Sequence, residues 1–307
     1  MDTRKLIAHG PSSLTIALPH RWVKKHHLGK GETVSISEDE LGLRISAHPS
    51  EQKRTIAVSL KGRDYPAILT ILTTIYRRGY DEVETRYETT QECEHITTSV
   101  RMLLGYAVVE HRRGRCIIKS LPNEMEPFET LFRRTFQILL QQLEDLKGAL
   151  RDVEALRGFY HRDADLNAIV NLALRMINKG YVADRYEELH RFHALLMIEE
   201  CGDDIVRFTI EASSAKEGAK LVPYVEQTER LVRLLYDSLF KSKGSVDDFY
   251  KQYYLYWPDF SKKKDAPVYT RFAQAKLPVF YLRSIVEKAI ALAEILLLPD
   301  EEQTTLK

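Results

Sequence analysis

The sequence predicts an α+β multidomain chain in three parts: a β-rich head, a small α/β middle module and an all-α bundle. Three observations carry that expectation. The first 48 residues alternate short apolar runs with polar and glycine-rich turns, the period of half-buried strands. Residues 54–121 interleave strand-like and helix-like runs. From Met125 to Leu298 the apolar period becomes 3.6 and strand signals almost vanish. A length of 307 residues, 44% apolar and 29% charged, suits a multidomain globular chain.

In the head, Leu14, Ile16 and Leu18 alternate with Thr15 and Ala17, and Pro19 ends that strand because it cannot donate to a ladder. Residues 21–27 supply one or two helical turns, with Trp22 and Val23 as apolar contacts. Leu28-Gly-Lys-Gly31 is a turn. Residues 33–37 and 41–46 are two further strands, joined by Glu38-Asp39-Glu40. Charge is lopsided. Residues 1–31 hold Arg4, Lys5, Arg21, Lys24, Lys25 and Lys30 against Asp2 alone, a net +5 in a chain whose total is +1. Half of the ten histidines (His9, His20, His26, His27 and His48) fall in the same head. About forty residues rarely bury a sufficient core alone. Two copies exchanging strands would supply that core and cover the exposed edges.

Four motifs carry a resemblance: Arg4-Lys5, Gly10-Pro-Ser-Ser13, Leu18-Pro19 with Trp22-Val23-Lys24, and Leu28-Gly-Lys-Gly31-Glu32. Together they resemble a SpoVT/AbrB-type swapped-hairpin domain, with Glu32 where that family usually carries Asp. The resemblance implies an intertwined homodimer through residues 1–48 that binds double-stranded DNA. Arg4, Lys5, His9, Arg21, Lys24 and Lys25 are the expected DNA-binding residues. A basic field doubled by a dimer suits a phosphate backbone. The alternative is a dimerisation module with a solvated basic face.

Residues 48–53 form a polar linker. Beyond it, residues 54–60 read as a strand with Ile56, Val58 and Leu60 on one face. Asp64 is the expected N-cap and Pro66 lies early in a helix that carries Ile68, Leu69, Leu72, Ile75 and Tyr76 and stops at Gly79. Residues 82–87 are a strand, 96–104 a helix, and 107–110 with 115–120 a hairpin around His111-Arg-Arg-Gly114. This β-α-β-α-β-β module shows no phosphate-cradling glycine loop, and a spacer or dimer-contact role is expected of it. Leu121-Pro-Asn-Glu124 is the next boundary.

The bundle follows, with helices expected over about 127–156, 162–178, 184–212, 215–240 (kinked at Pro223), 245–256 and 277–298, grouped as two three-helix units. On the first helix, Phe128, Leu131, Phe132, Phe136, Leu139, Leu140, Leu143, Leu146 and Leu150 make a buried stripe. Phe249, Tyr253 and Trp257 share one face of the fifth helix and are expected to be buried, whereas Lys262-Lys-Lys264 is too short for a nucleic-acid patch.

Two further patterns resemble a PhoU-type bundle. Arg162-Asp163-Ala-Asp165-Leu-Asn167, with Arg175 beyond it, looks like that family's acidic helix. Glu199/Asp203 and Glu200/Asp204 look like its partner helix, with carboxylates one turn apart. Such pairs hold metal clusters in that family, so the resemblance makes Glu199, Glu200, Asp203, Asp204 and Asp163 candidate metal ligands. A SpoVT/AbrB-type head on a PhoU-like bundle also resembles the archaeal phosphate uptake regulators. Asn167, however, stands where the pattern expects a carboxylate, and Asp163 can be read as a plain N-cap. Arg162, Arg175 and Arg207 can neutralise the acids without an ion. The expectation is therefore no cofactor, with a hard divalent metal as the alternative, joined by His190 or His193 only for a softer ion.

No enzyme signature is present: no G-x-S-x-G, P-loop or HExxH. Ser12 and Ser13 read as a turn. Cys93, Cys116 and Cys201 are odd in number, widely separated and without CxxC spacing, which points to free thiols in a cytoplasmic protein. No signal core and no membrane-length apolar run is visible, so no membrane insertion is expected. Two functions are in contention. One is a DNA-binding transcriptional regulator with a sensing bundle. The other is a PhoU-like interaction protein that docks on a transporter or signalling complex and uses its head only to dimerise.

Overall fold

A computed structural model describes residues 3–10, 13–39, 42–47, 53–121, 126–150, 152–182, 185–213, 218–241, 246–256 and 276–297. It shows an α+β chain in which helix predominates, divided into two compact units, Met1–Lys53 and Arg54–Lys307.

The first unit holds two hairpins and one short helix. Strand β1 (Ile7–Ala8) pairs antiparallel with β2 (Leu14–Thr15). His9 donates its N–H to the Ser13 carbonyl at 2.8 Å, and the Ser13 hydroxyl donates back to the His9 carbonyl. Ser13 is thus a turn residue, as its sequence context indicates. The strand expected over 14–18 is shorter than its alternation promises: Ile16 and Leu18 lie outside the ladder. Helix α1 (His20–Lys25) starts directly after Pro19, whose φ of −59° already suits a helix N-terminus. In the next turn the Gly29 N–H donates to Glu32 Oε2 at 2.7 Å, so Glu32 closes the turn with its longer side chain. Strands β3 (Val34–Asp39) and β4 (Gly42–Ala47) form the second hairpin, with Ile36 opposite Ile45.

None of the described side chains of this unit is buried. Leu14 is 64% exposed, Ile36 63% and Leu43 69%. The half-buried face that the alternation predicts is therefore open within one chain.

The second unit opens with the expected β-α-β-α-β-β order. Its elements are β5 (Thr55–Ser59), α2 (Tyr65–Arg77), β6 (Glu82–Arg86), α3 (Thr90–Arg101), β7 (Tyr106–Arg112) and β8 (Arg115–Ser120). The sheet order is β5-β6-β8-β7, parallel between the first two and antiparallel elsewhere. Asp64 caps α2 by accepting the Ala67 N–H at 3.0 Å, and Gly79 ends it at φ +80°. Helix α3 begins six residues earlier than the apolar period suggests, because Thr89 and Glu92 form a capping box. Ile68, Leu72, Tyr76, Val83, Ile96 and Ile118 are fully buried between sheet and helices.

The bundle comprises α4 (Phe128–Ala149), α5 (Val153–Arg157), α6 (Phe159–Asn178), α7 (Arg185–Ser213), α8 (Val222–Lys241), α9 (Val246–Tyr256) and α10 (Lys276–Leu296). The expected stripe on α4 is buried at all nine positions through Leu150. Three expectations are corrected. The first helix stops at Ala149, and α5 restarts under an Asp152 cap. Pro223 does not kink a helix: it lies in the first turn of α8, where a missing N–H costs nothing. The helices also share one continuous core rather than two three-helix units, because α10 lies along α7 and α8 packs on both α4 and α10. Phe249 and Tyr253 are buried in that core as expected. Trp257, the 257–267 loop and Lys262-Lys-Lys264 lie outside the described residues.

Polar side chains bolt the α/β module to α6 and α7. Arg175 of α6 donates to the Tyr76 and Tyr80 carbonyls at 3.0 and 2.7 Å and to Asp81 Oδ1 at 2.8 Å. Its guanidinium lies over the Tyr76 and Tyr106 rings. Arg77 of α2 reaches Asn171 at 2.5 Å and Glu199 at 2.6 Å. No described helix is long and apolar enough to cross a membrane.

Candidate functional site

Three places concentrate chemistry. The first is the head. Arg4, Lys5, His9, Arg21, Lys24 and Lys25 all lie on its solvent side, with none of them buried. His9 occupies the β1–β2 turn and Arg21 the first turn of α1. Lys24 and Lys25 fill its last turn, where a helix C-terminus favours cations. Beside them Trp22 and His26 pack their rings at 5.0 Å, which holds the short helix against the turn that follows.

The second place is the contact of α6 with α7. Asp163 is not an N-cap; it lies inside α6, and its Oδ2 accepts from Asn167 Nδ2 at 2.7 Å. Asn167 thus serves the neighbouring carboxylate instead of replacing it. The helices approach closely at Gly202, where a Cβ would come within 2.7 Å of Leu166 Cδ2 and 2.8 Å of Asp163 Oδ1. Burial there, reinforced by the charge of Asp203 and then of Glu199, pushes the Asp163 carboxyl up to about 6. Asp163 Oδ1 and Asn167 Oδ1 are buried without a hydrogen-bond partner.

The four carboxylates of α7 do not converge. Glu199 and Asp203 turn toward Asp163, and Glu199 is held by Arg77 at 2.6 Å. Asp204 instead faces α10, where Lys288 lies 2.7 Å away, and Glu200 is 65% exposed and 3.7 Å from the same lysine. Arg207 binds Asp203 and Asp204, both at 3.0 Å. The expected arginine–carboxylate network between these two helices is corrected: of the three arginines, only Arg207 neutralises the α7 acids, and it does so from their own helix. Arg162 goes to Asp145 and Arg175 to Asp81, while Arg77 and Lys288 take their places beside the α7 acids. Sequence spacing does not reveal those two partners, because each comes from an element far along the chain. His193, the second candidate nitrogen, is exposed.

The third place is one that spacing along the sequence does not show. Cys93 of α3, His111 of β7 and Cys116 of β8 meet at the sheet surface. Cys116 Sγ lies 3.4 Å from His111 Nδ1, and Cys93 Sγ lies 3.8 Å from His111 Nδ1 and 4.0 Å from Cys116 Sγ. Burial and the neighbouring Cys93 push the Cys116 thiol up to about 11. The hairpin carries the one available signal, since His111 and Cys116 are cross-strand partners. That signal is masked because His111 reads as a turn residue, whereas β7 continues through it to Arg112. Cys201 stands apart in α7, 1% exposed, and burial pushes its thiol up to about 12.

Compared with known proteins, the chain matches no family model, no curated protein and no solved structure.

Proposed function

We propose that this chain is a homodimeric, DNA-binding transcriptional regulator. Its head pairs with a second copy, and its helical unit acts as a sensor or partner-binding domain. The observation that carries this reading is the state of the head. A unit of about fifty residues buries none of its described side chains, yet turns Leu6, Ile7, Leu14, Ile36 and Leu43 outward. Each such side chain contributes about 1.5–3 kcal/mol when fully buried. A second copy of the same hairpins satisfies that surface and cancels the open strand edges. It also doubles a field that is already net +5 over residues 1–31. The SpoVT/AbrB-like motifs support the DNA half of the reading. The PhoU-like motifs support phosphate uptake as the regulated process and a transporter or signalling protein as a further partner.

Fluorescence anisotropy of labelled duplex DNA with the full chain, repeated across a salt series, tests this function. With six or more phosphates neutralised, the log–log slope of affinity on salt is expected near −5 or steeper. Arg4→Ala with Lys5→Ala should weaken binding by about 1–3 kcal/mol for each charge-assisted hydrogen bond removed, and should flatten the slope. A flat salt dependence, or affinity that ignores both substitutions in an intact dimer, would leave the head as a dimerisation module alone.

A further inference from the structure

Cys93, His111 and Cys116 come from three elements of the α/β module and belong neither to the head nor to the acidic helices. A β-bulge is what assembles them. Between Val108 and Glu110 the β7–β8 register slips by one residue. Val108 pairs with Ile118, which is fully buried on the helix-covered face of the sheet. In a regular strand a residue three positions further on would point to the opposite face. The bulge reverses that phase, so His111 pairs with Cys116 on the same covered face, under the start of α3 where Cys93 sits.

The three separations fit a metal better than they fit a bond or a chance approach. A tetrahedral zinc, with Zn–S about 2.3 Å and Zn–N about 2.0–2.1 Å, holds two sulfurs about 3.8 Å apart and a sulfur and a nitrogen about 3.6 Å apart. The observed edges are 4.0 Å for sulfur–sulfur and 3.8 and 3.4 Å for sulfur–nitrogen. All three agree to about 0.2 Å with that geometry. A disulfide would need its sulfurs at about 2.05 Å, half the separation present. Two soft thiolates and an imidazole also select zinc over magnesium or calcium.

We propose that Cys93, His111 and Cys116 form a zinc site that clips the start of α3 to the β7–β8 hairpin. Three protein ligands leave the fourth vertex to water. Tyr87 lies beside the group: its hydroxyl donates to the Arg112 carbonyl at 3.0 Å and its oxygen lies against both thiols. His111 is exposed, so the ion reaches the site from solvent, while Cys116 closes it from below. The two thiolates balance the charge of the ion.

The test uses the full chain, reduced and stripped of metal, and titrated with zinc chloride against a chromophoric chelator. Cobalt(II) is then used as a spectroscopic substitute. The expected result is one zinc per chain and, with cobalt, a thiolate charge-transfer band together with tetrahedral ligand-field bands. Removing an outer-shell partner of a metal weakens binding by about 10–100-fold. Removing a direct ligand, in Cys93→Ser or His111→Ala, should therefore exceed about 100-fold, whereas Cys201→Ser should change nothing. Cys116→Ser is the least safe variant because Cys116 is fully buried, so Cys93 and His111, which are not, decide the matter. Absence of zinc uptake by the reduced protein overturns the proposal. So does uptake that survives the Cys93 and His111 substitutions, or a Cys93–Cys116 disulfide in a protein that takes up no metal when reduced.

Discussion

The two units of this chain solve the problem of burial in opposite ways. Residues 54–297 enclose two packed clusters, and side chains as large as Phe132, Phe136 and Tyr76 have no exposure at all. Residues 3–47 carry the same kind of apolar alternation, yet Leu14, Ile36 and Leu43 remain more than 60% exposed. Length separates the two, and so does composition, since every Phe and Tyr of the chain lies beyond residue 53. Long helices present whole apolar stripes to one another, whereas strands of two to six residues cannot enclose a core from one copy. The larger unit should therefore depend on its own packing and the head on its partner.

The largest effect should come from breaking the first half of that contrast. Phe136→Ala empties a site that packs Phe132 and Phe240, and should lower the stability of the large unit by about 3–5 kcal/mol. Calorimetry should show its main transition falling in temperature, at a midpoint independent of protein concentration. A concentration-dependent midpoint for that transition would erase the contrast.

Next is the joint between module and bundle. Arg175→Ala leaves the Tyr76 and Tyr80 carbonyls without their guanidinium donor and Asp81 without its buried arginine, with Lys179 still beside it. Removing one member of such a buried pair should cost about 3 kcal/mol, visible in urea unfolding followed by circular dichroism. Wild-type stability would show that the module is docked by apolar packing alone.

In the head, Leu14→Ala should do little if the exposed state of one chain is the whole story, within about 0.5 kcal/mol. With a second copy covering that side chain, the effect should reach about 2 kcal/mol and appear in the dimer dissociation constant.

The smallest effect concerns charge in the large unit. Asp163 titrates near 6 when folded, above the value of about 4 for an unfolded chain. Between those values the folded state keeps a proton that the unfolded state has released. The stability this gives is complete below about pH 4 and gone above about pH 6. Asp163→Asn should remove that slope and raise the melting temperature by about 2–4 °C at pH 8. An unchanged pH profile would show the carboxyl to be ionised at no cost.

Most of the elements are legible in the sequence, but few of the meetings between them. The α4 stripe, the Asp64 cap and the β-α-β-α-β-β order follow from local periodicity and capping chemistry, which depend on near neighbours. The break after Ala149 and the early start of α3 are hidden because apolar period outweighs a polar cap. Arg77–Glu199 and Lys288–Asp204 bridge elements roughly 80 to 120 residues apart, and no spacing rule reaches that far. The Cys93–His111–Cys116 group lies halfway between these cases. One edge of it is written in the hairpin register, and the bulge that sets His111 opposite Cys116 is not.

The contrast between the units is tested most directly by sedimentation equilibrium of the full chain at micromolar concentration, beside a Leu14→Asp, Ile36→Asp double variant. The expected wild-type mass is twice the 35.6 kDa of one chain. The variant should fall to a single chain and lose affinity for duplex DNA, while the melting transition of its large unit stays unchanged. A wild-type monomer, or a variant that remains dimeric and still binds DNA, would contradict a head completed by its second copy.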